Sequence, residues 1–221
     1  MTRIPGVRSL RLAGLLAVGA ALVALPAFAG QDAGQEKKPP PKEETKAVGA
    51  EIGKAAPAFE LKDLDGKTVK LADFKDKTVV LEWFNPGCPY CAYAYSEKGP
   101  LRKLPETLKA KGVVWLSVVS EKPDNPGGKL ETIQKFVKAN EMSAPLLLDP
   151  DGKVGRAYGA KTTPHMFVID GKGVLVYQGA LDNSPFGKTE EGQQPVNHVE
   201  AALADLAAGK RVAKAETRPY G

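Results

Sequence analysis

Apolar residues along the chain follow two patterns, short β-branched and aromatic runs and longer segments with helical spacing. The short runs predict strands, because strands of a sheet that is covered on both faces are continuously apolar. The predicted strands are residues 56–61, 68–71, 78–84, 113–119, 144–148, 166–170 and 174–178. The first two flank the turn signal Asp65-Gly66 and the last two surround Gly171 and Gly173, so each pair predicts a β-hairpin.

Helical spacing predicts three helices, at residues 93–111, 130–140 and 196–208. We expect the first to bend or restart near Pro100 and Pro105, because proline cannot donate a helical hydrogen bond. Strands that alternate with helices predict an α/β domain with a mixed sheet, helices on both of its faces and an N-terminal β-hairpin extension.

The N-terminus does not fit this domain pattern. Three arginines precede the apolar stretch 12–25, and an Ala-x-Ala motif follows at 27–29. This arrangement is typical of a secretory signal peptide, with cleavage expected after Ala29. An uncleaved anchor is the less favoured alternative, because a membrane span needs about 20 apolar residues. We therefore predict that residues 1–29 are a signal peptide and that the protein is periplasmic or secreted.

Composition divides the rest of the chain into a linker and one domain. Residues 30–50 are charged and proline-rich without aromatic residues, which predicts a disordered linker. Residues 51–221 are long enough for a single domain with its own core. Loss of the signal peptide would remove three arginines and no acids, so the formal net charge would fall from +5 to +2. Lysines do not cluster with aromatic residues, which argues against a nucleic-acid partner.

The two cysteines of the chain, Cys88 and Cys91, directly follow the predicted strand 78–84. At the start of a helix, unpaired backbone N–H groups favour the thiolate of the first cysteine, and the second can resolve a mixed disulfide. A structural disulfide is less favoured, because closing so short a loop stabilises little. A zinc site would need two more ligands, and the only histidines are His165 and His198. We predict neither a metal nor a cofactor.

Several motifs together resemble the thioredoxin-like redoxin superfamily, in particular its alkyl hydroperoxide reductase/thiol-specific antioxidant and TlpA-like branch. The resemblance covers nearly all of residues 52–206. Its motifs are Ala-Pro-x-Phe-x-Leu at 56–61, Cys-Pro-Tyr-Cys at 88–91, Leu-Asp-Pro-Asp-Gly-Lys at 148–153 and Tyr-Gly-Ala-Lys-Thr-Thr-Pro at 158–164. The resemblance implies a thioredoxin fold, dithiol/disulfide exchange with protein substrates, and a partner that recycles the cysteine pair.

The resemblance also implies a substrate groove beside the cysteines. In this fold the proline at position 164 is cis and faces the disulfide, while the residue before it, Thr163, hydrogen-bonds an extended substrate backbone. Tyr90 is expected to cap the site and, with Pro89, to contact the substrate. The alternative is that Thr163 and Pro164 form an ordinary strand entry.

Glu82 lies inside an apolar run, where a buried acid needs a partner. Thioredoxins resemble this chain in carrying a buried acid six residues before the first cysteine. Burial would raise the pKa of Glu82 and make it a proton acceptor for Cys91. A glutamate on an exposed side of the strand is the alternative.

Four further side chains near these motifs are weaker candidates. His165 either tunes the thiolate or is a hydrogen-bonded surface histidine, and His198 is expected to be solvated. Tyr93 and Tyr95 are expected to be packing residues.

Two other functions remain open. Peroxiredoxins share the framework, but they place Thr or Ser three residues before the reactive cysteine and keep an arginine nearby. Here Asn85 holds that position, and Arg156 is the only arginine near a suitable segment. Copper-carrying proteins of this fold usually separate their cysteines by three residues and need a histidine ligand. Both functions are therefore less favoured than thiol–disulfide exchange.

Overall fold

The computed structural model describes residues 49–221, so the predicted signal peptide and most of the predicted linker lie outside the described residues. The described part is built around a mixed sheet with α-helices on both faces. Its strands are β1 (Glu60–Asp63), β2 (Thr68–Lys70), β3 (Val79–Trp83), β4 (Val114–Val119), β5 (Leu146–Leu148), β6 (His165–Ile169) and β7 (Leu175–Gly179). Its α-helices are α1 (Pro89–Tyr95), α2 (Leu104–Ala110), α3 (Leu130–Ala139), α4 (Lys153–Tyr158) and α5 (His198–Ala207).

The sheet has the strand order β2-β1-β5-β4-β3-β6-β7. Strands β3, β4 and β5 are parallel, whereas both edges are antiparallel hairpins, β1 with β2 and β6 with β7. The N-terminal hairpin joins the sheet through an antiparallel pairing of β1 with β5. The predicted mixed sheet with an N-terminal hairpin extension is therefore confirmed.

Two helices differ from their predicted bounds. The segment 93–111, predicted as a helix that bends or restarts near Pro100 and Pro105, forms α1 and α2. The predicted restart is confirmed: the interruption contains Pro100, and Pro105 lies in the first turn of α2. Helix α1 begins at Pro89, because proline at the first helical position lacks an N–H that would be unpaired there anyway. Helix α4 was not predicted. It has six residues and contains Gly155, so it offers too short a stretch of helical spacing to detect.

Strand β3 lies between β4 and β6 and is buried along its whole length. Its side chains alternate between the two faces of the sheet. Val80 packs into the core that the sheet forms with α1, α2, α3 and α5, whereas Leu81 and Trp83 pack into the core beneath α4. Glu82 has the parity of Val80, and its carboxyl therefore points into the α1 side.

Candidate active site

The loop between β3 and α1 carries the two cysteines. Asn85 stabilises this loop, because its Oδ1 accepts a hydrogen bond from the Gly87 backbone N–H at 2.7 Å and its Nδ2 donates to Oε1 of Glu121 at 3.0 Å. Cys88 has the extended backbone of a helix N-cap, and α1 begins at the next residue. Both thiols are free; Cys88 is half-buried and Cys91 is fully buried.

Cys88 has the more acidic thiol of the pair. A hydrogen bond from the Cys91 thiol is the largest cause that lowers the pKa of Cys88 to about 5, and hydrogen bonds from the Thr163 side chain and from backbone N–H groups of α1 add to it. Partial burial opposes the shift. When it is protonated, Cys88 Sγ donates to the Thr163 carbonyl oxygen at 2.9 Å. At neutral pH the half-exposed sulfur is therefore a thiolate, the nucleophilic form.

Cys91 has the opposite electrostatic environment. Its pKa is raised well above the ordinary value, first by the hydrogen bond that its thiol donates to Cys88, then by burial and by the negative charge of Glu82. Cys91 thus stays protonated while Cys88 carries a negative charge. Cys88 is therefore the accessible, ionised sulfur, and Cys91 is the buried, protonated one.

The carboxyl of Glu82 lies beneath the cysteines and is fully buried. Its Oε2 accepts hydrogen bonds from Tyr95 Oη at 2.5 Å, Ser117 Oγ at 2.8 Å and Trp115 Nε1 at 3.1 Å. Within residues 49–221, its Oε1 has no hydrogen-bond partner. Burial raises the pKa of Glu82 to about 7, although the three donors oppose the shift. The carboxyl can therefore gain or lose a proton near neutral pH.

The segment before β6 lies against the first cysteine. The peptide bond between Thr163 and Pro164 is cis, and β6 then pairs with β3 in antiparallel orientation. This pairing brings the start of β6 beside the end of β3, so the Thr163 carbonyl reaches Cys88. Pro164 is buried and Thr163 is half-buried. The Thr163 peptide group consequently lies directly beside Cys88.

An aromatic cluster borders Cys88 on the side of α1. The ring of Tyr90 lies 4.4 Å from that of Phe186 and 5.5 Å from that of Tyr220, measured between centroids. Pro89 is exposed and Tyr90 is half-buried. The surface around Cys88 is therefore apolar, and sequence reasoning did not identify Phe186 or Tyr220 as part of it.

Two predictions about histidines are corrected by the structure. His165 is only 5% exposed and is not a surface residue; its Nδ1 accepts a hydrogen bond from the Lys161 backbone N–H at 3.3 Å. Burial lowers the pKa of His165 to about 4, so the ring is neutral. His198 is buried rather than solvated, because its backbone N–H bonds to the Leu181 carbonyl and holds the start of α5 against the core.

Sequence reasoning assigned Tyr95 to packing, but the structure also places its hydroxyl on Glu82. Trp115 and Ser117, the other two donors, were not identified at all. Strand β4 supplies both, and the pairing of Glu82 with Ser117 is set by the register between β3 and β4. A polar serine within the apolar run 113–119 was the one signal that could have pointed to a buried polar partner.

Asn85 and Arg156 are the residues considered above for peroxide chemistry. Among the described residues, neither side chain forms a hydrogen bond with Cys88. The Asn85 amide bonds to Gly87 and Glu121. Arg156 lies on α4, with its guanidinium close to Gly152.

Within residues 49–221 there is no group of three or more His, Cys, Asp or Glu side chains that could hold a metal ion. No helix of that part is long and apolar enough to cross a membrane.

Comparison with known proteins identifies the family of this chain. Residues 52–178 match the model of the AhpC/TSA family, and the chain belongs to that family. Thiol-disulfide oxidoreductase ResA of Bacillus thuringiensis subsp. konkukian is 31% identical over 134 residues, which cover 61% of this chain and 72% of the relative. A protein of Mycobacterium tuberculosis H37Rv that is provisionally named a peroxiredoxin is 32% identical over 169 residues, or 73% and 98% of the two chains.

Solved structures show the same fold. The crystal structure of a hypothetical protein from Sinorhizobium meliloti 1021 superposes with a TM-score of 0.67 at 27% identity, covering 77% of this chain and 92% of the other. A thioredoxin-named protein of Neisseria meningitidis gives a TM-score of 0.52 at 28% identity, covering 70% and 89%. The fold is thioredoxin-like, and the chain is an oxidoreductase.

Proposed function

We propose that this protein is an exported thiol–disulfide oxidoreductase in which Cys88 attacks protein disulfides and Cys91 resolves the mixed disulfide. The opposite pKa shifts of the two thiols most directly support this proposal. The accessible thiol has a pKa of about 5, and the buried thiol has a pKa well above its ordinary value. A nucleophile and a resolving group need this division.

In the first step, the Cys88 thiolate attacks one sulfur of a substrate disulfide. A bond forms between Cys88 Sγ and that sulfur, the substrate S–S bond breaks, and the other substrate sulfur leaves as a thiolate. The low pKa of Cys88 keeps the attacking sulfur ionised at neutral pH. The thiol of Cys91 is protonated and takes no part in this step.

In the second step, Cys91 loses its proton and attacks Cys88 Sγ. In the mixed disulfide Cys88 is no longer a thiolate that accepts the hydrogen bond from Cys91, which removes the largest cause of the raised Cys91 pKa. Glu82, with its pKa of about 7 and its unpaired Oε1, accepts the proton. The Cys88–Cys91 disulfide forms, the second substrate thiolate leaves, and two electrons have passed to the substrate.

The substrate chain is proposed to lie between the Thr163–Pro164 segment and the surface of Pro89 and Tyr90. Thr163 offers backbone groups beside Cys88, and Tyr90 offers an apolar ring. An extended chain pairs with such a backbone, while an apolar ring holds a side chain next to the disulfide. A separate reduced partner must return the Cys88–Cys91 disulfide to the dithiol, because an oxidising compartment favours the disulfide.

Turnover of a protein disulfide tests this proposal. We expect the wild-type protein to accelerate reduction of insulin by dithiothreitol, Cys88→Ser to abolish the acceleration, and Glu106→Gln, an exposed change on α2, to leave it unaltered. Acceleration that survives in Cys88→Ser would contradict the proposal.

Peroxidase activity is the second candidate, favoured by the similarity to the peroxiredoxin-named relative of M. tuberculosis. With the same reductant, the proposed function predicts slower consumption of hydrogen peroxide than of insulin disulfides. Faster consumption of peroxide, lost in Cys88→Ser, would make peroxidase the primary function.

Export is supported by the signal-peptide pattern of residues 1–29. The full chain produced in a Gram-negative host should appear in the periplasmic fraction with Gly30 as its first residue. Cytoplasmic protein that begins at its original N-terminus would contradict this part of the proposal.

A further inference from the structure

The last residues of the chain run beside β7 and extend the sheet. The Gln178 N–H donates to the Ala215 carbonyl at 2.9 Å, and the Thr217 N–H donates to the Gln178 carbonyl at 3.1 Å. Gln178 and Glu216 form a parallel bridge. The backbone of β7 therefore sets the direction in which the segment leaves the sheet.

Thr217 anchors this segment below the active-site surface. Its Oγ1 accepts a hydrogen bond from the Ala180 N–H at 2.8 Å and shares a hydrogen bond of 2.6 Å with the Tyr177 hydroxyl. Gly179 has a φ of +144° and lies so close to Thr217 that a side chain at position 179 would collide with it. Thr217 is therefore held against β7 by directed hydrogen bonds and close packing, as residues inside the domain are.

Beyond the anchor, Tyr220 joins the aromatic surface next to Cys88. Its hydroxyl donates to Oδ1 of Asp182 at 2.7 Å, and Asp182 is only 6% exposed. Its ring packs beside that of Tyr90, which is proposed above to contact substrate. Tyr220 thereby covers part of the surface that a substrate side chain would use.

The final residue covers the backbone that an extended substrate would use. Gly221 packs so closely on the Thr163 peptide group that a side chain at position 221 would overlap the Thr163 carbonyl oxygen. The Thr162 hydroxyl donates to the Tyr220 carbonyl at 3.3 Å. Cys88 Sγ bonds to the same Thr163 carbonyl. One peptide group is thus contacted by both the nucleophile and the tail.

We propose that residues 218–221, here called the strap, occupy the substrate groove of this protein and must move aside before a protein disulfide reaches Cys88. The proposal rests on the proposed function, because it needs the groove to be where substrate binds. Arg218 and Gly221 are exposed, so the strap can leave while Thr217 stays anchored. Apparent affinity for protein substrates is then reduced by the fraction of molecules whose strap is displaced.

The strap should hinder large partners more than small ones. A small thiol reagent needs only the half-exposed sulfur of Cys88, whereas a polypeptide also needs the Thr163 backbone and the Tyr90 surface. Removal of the strap should therefore increase kcat/KM for insulin by about threefold or more through a lower KM, since the open fraction rises toward one. The rate of Cys88 alkylation by iodoacetamide should change much less.

The test uses a variant that ends at Thr217, Tyr220→Phe as a milder change, and Lys210→Ala as a control. Lys210 is exposed and lies before the segment that contacts β7. We expect the shortened variant to show the larger kcat/KM, Tyr220→Phe to show a smaller increase, and Lys210→Ala to match the wild type. The peptide Ala-Glu-Thr-Arg-Pro-Tyr-Gly should inhibit the shortened variant competitively and the wild type weakly.

A bulky maleimide should alkylate Cys88 faster in the shortened variant than in the wild type. Equal or lower kcat/KM in the shortened variant, together with an unchanged maleimide rate, would overturn the proposal that the strap occupies the groove. The melting temperature of each variant shows whether a change in activity comes from loss of folding. If the shortened variant is unstable, the maleimide rate of Tyr220→Phe tests whether the strap covers the groove. If no variant reduces insulin, the proposed function fails. The maleimide rates then still report whether the strap covers Cys88.

Discussion

Asp149 and Glu82 are two of the three buried acids of the described domain, and their surroundings differ. Asp149 follows β5; its Oδ2 accepts hydrogen bonds from Ser120 Oγ at 2.5 Å and from the Gly155 N–H at 2.9 Å, and its Oδ1 accepts one from the Val154 N–H at 3.2 Å. Glu82 receives three donors on one oxygen and none from the described residues on the other.

This difference separates a structural acid from one suited to catalysis. The first turn of α4 supplies backbone N–H groups to both oxygens of Asp149, so each oxygen has a hydrogen-bond partner. Glu82 is incompletely bonded and its pKa is raised to about 7 by burial, so its two protonation states are close in free energy near neutral pH. The buried acid with an unpaired oxygen and a raised pKa lies next to the cysteine pair, whereas the acid with both oxygens hydrogen-bonded lies under a helix.

Replacement of Asp149 should have the largest effect on stability. Asp149→Ala leaves Ser120 and two N–H groups of α4 without their acceptor, so we expect a loss of about 3 kcal/mol in the free energy of unfolding. Urea denaturation measures this loss. The exposed Asp124→Ala should change stability by less than about 0.5 kcal/mol. A similarly small change in Asp149→Ala would remove the contrast between the two acids.

The stability of the wild-type protein should fall as the pH rises from about 4.5 to about 7, because of Glu82. The folded protein retains the Glu82 proton up to a pH of about 7, whereas an unperturbed carboxyl releases it near 4.5. This raised pKa favours folding at low pH, and about 3 kcal/mol is lost as the pH rises between these values. Glu82→Gln should lack this loss. Urea denaturation of both proteins at pH 5 and pH 8 measures it, and parallel pH dependences would mean that the Glu82 pKa is not raised.

Glu82→Gln should also slow resolution by about tenfold near neutral pH, because Cys91 loses its proton acceptor. A symmetric chromogenic aromatic disulfide releases one coloured thiolate in each step, so stopped-flow absorbance separates attack by Cys88 from attack by Cys91. The first phase should be nearly unchanged. The second should recover at high pH, where Cys91 ionises without help. A second phase equal to that of the wild type at every pH would exclude Glu82 as the acceptor.

Removal of one donor from Glu82 should have the smallest effect. Tyr95→Phe deletes the hydrogen bond that most strongly opposes the raised pKa of Glu82, so the midpoint of the second phase should move up by roughly one pH unit. Tyr158→Phe is the matched control, because its hydroxyl bonds to the Pro57 carbonyl in the region of the opposite core. An equal shift in both variants would point to general loosening of the fold.

Much of the fold and part of the site could be predicted from the chain. The apolar run 78–84 indicated a buried strand, and the buried position predicted for Glu82 within it is confirmed. The donors to Glu82 could not be predicted, because Ser117 comes from β4 and reaches Glu82 only through the strand register. His198 was predicted to be solvated, because it lies in the C-terminal helix. It is buried because its backbone N–H bonds to the Leu181 carbonyl, which holds the start of α5 against the core.

The strap was beyond sequence reasoning for a related reason. Residues 210–221 have neither helical spacing nor strand alternation, and their placement depends on the β7 edge and on space at Gly179. Apolar spacing along a chain predicts helices and strands. It does not predict a segment such as 210–221, which is held along the edge of β7 by contacts with residues distant in the sequence.

Trapping of the mixed disulfide tests most directly the assignment of different roles to the two cysteines. Cys91→Ser, incubated with a protein disulfide at pH 7, should accumulate a covalent complex through Cys88 that mass spectrometry detects and dithiothreitol releases. Cys88→Ser should accumulate none, because Cys91 is buried, and burial and the charge of Glu82 still raise its pKa when Cys88 is absent. Equal trapping by both variants, or trapping by Cys88→Ser alone, would contradict the account.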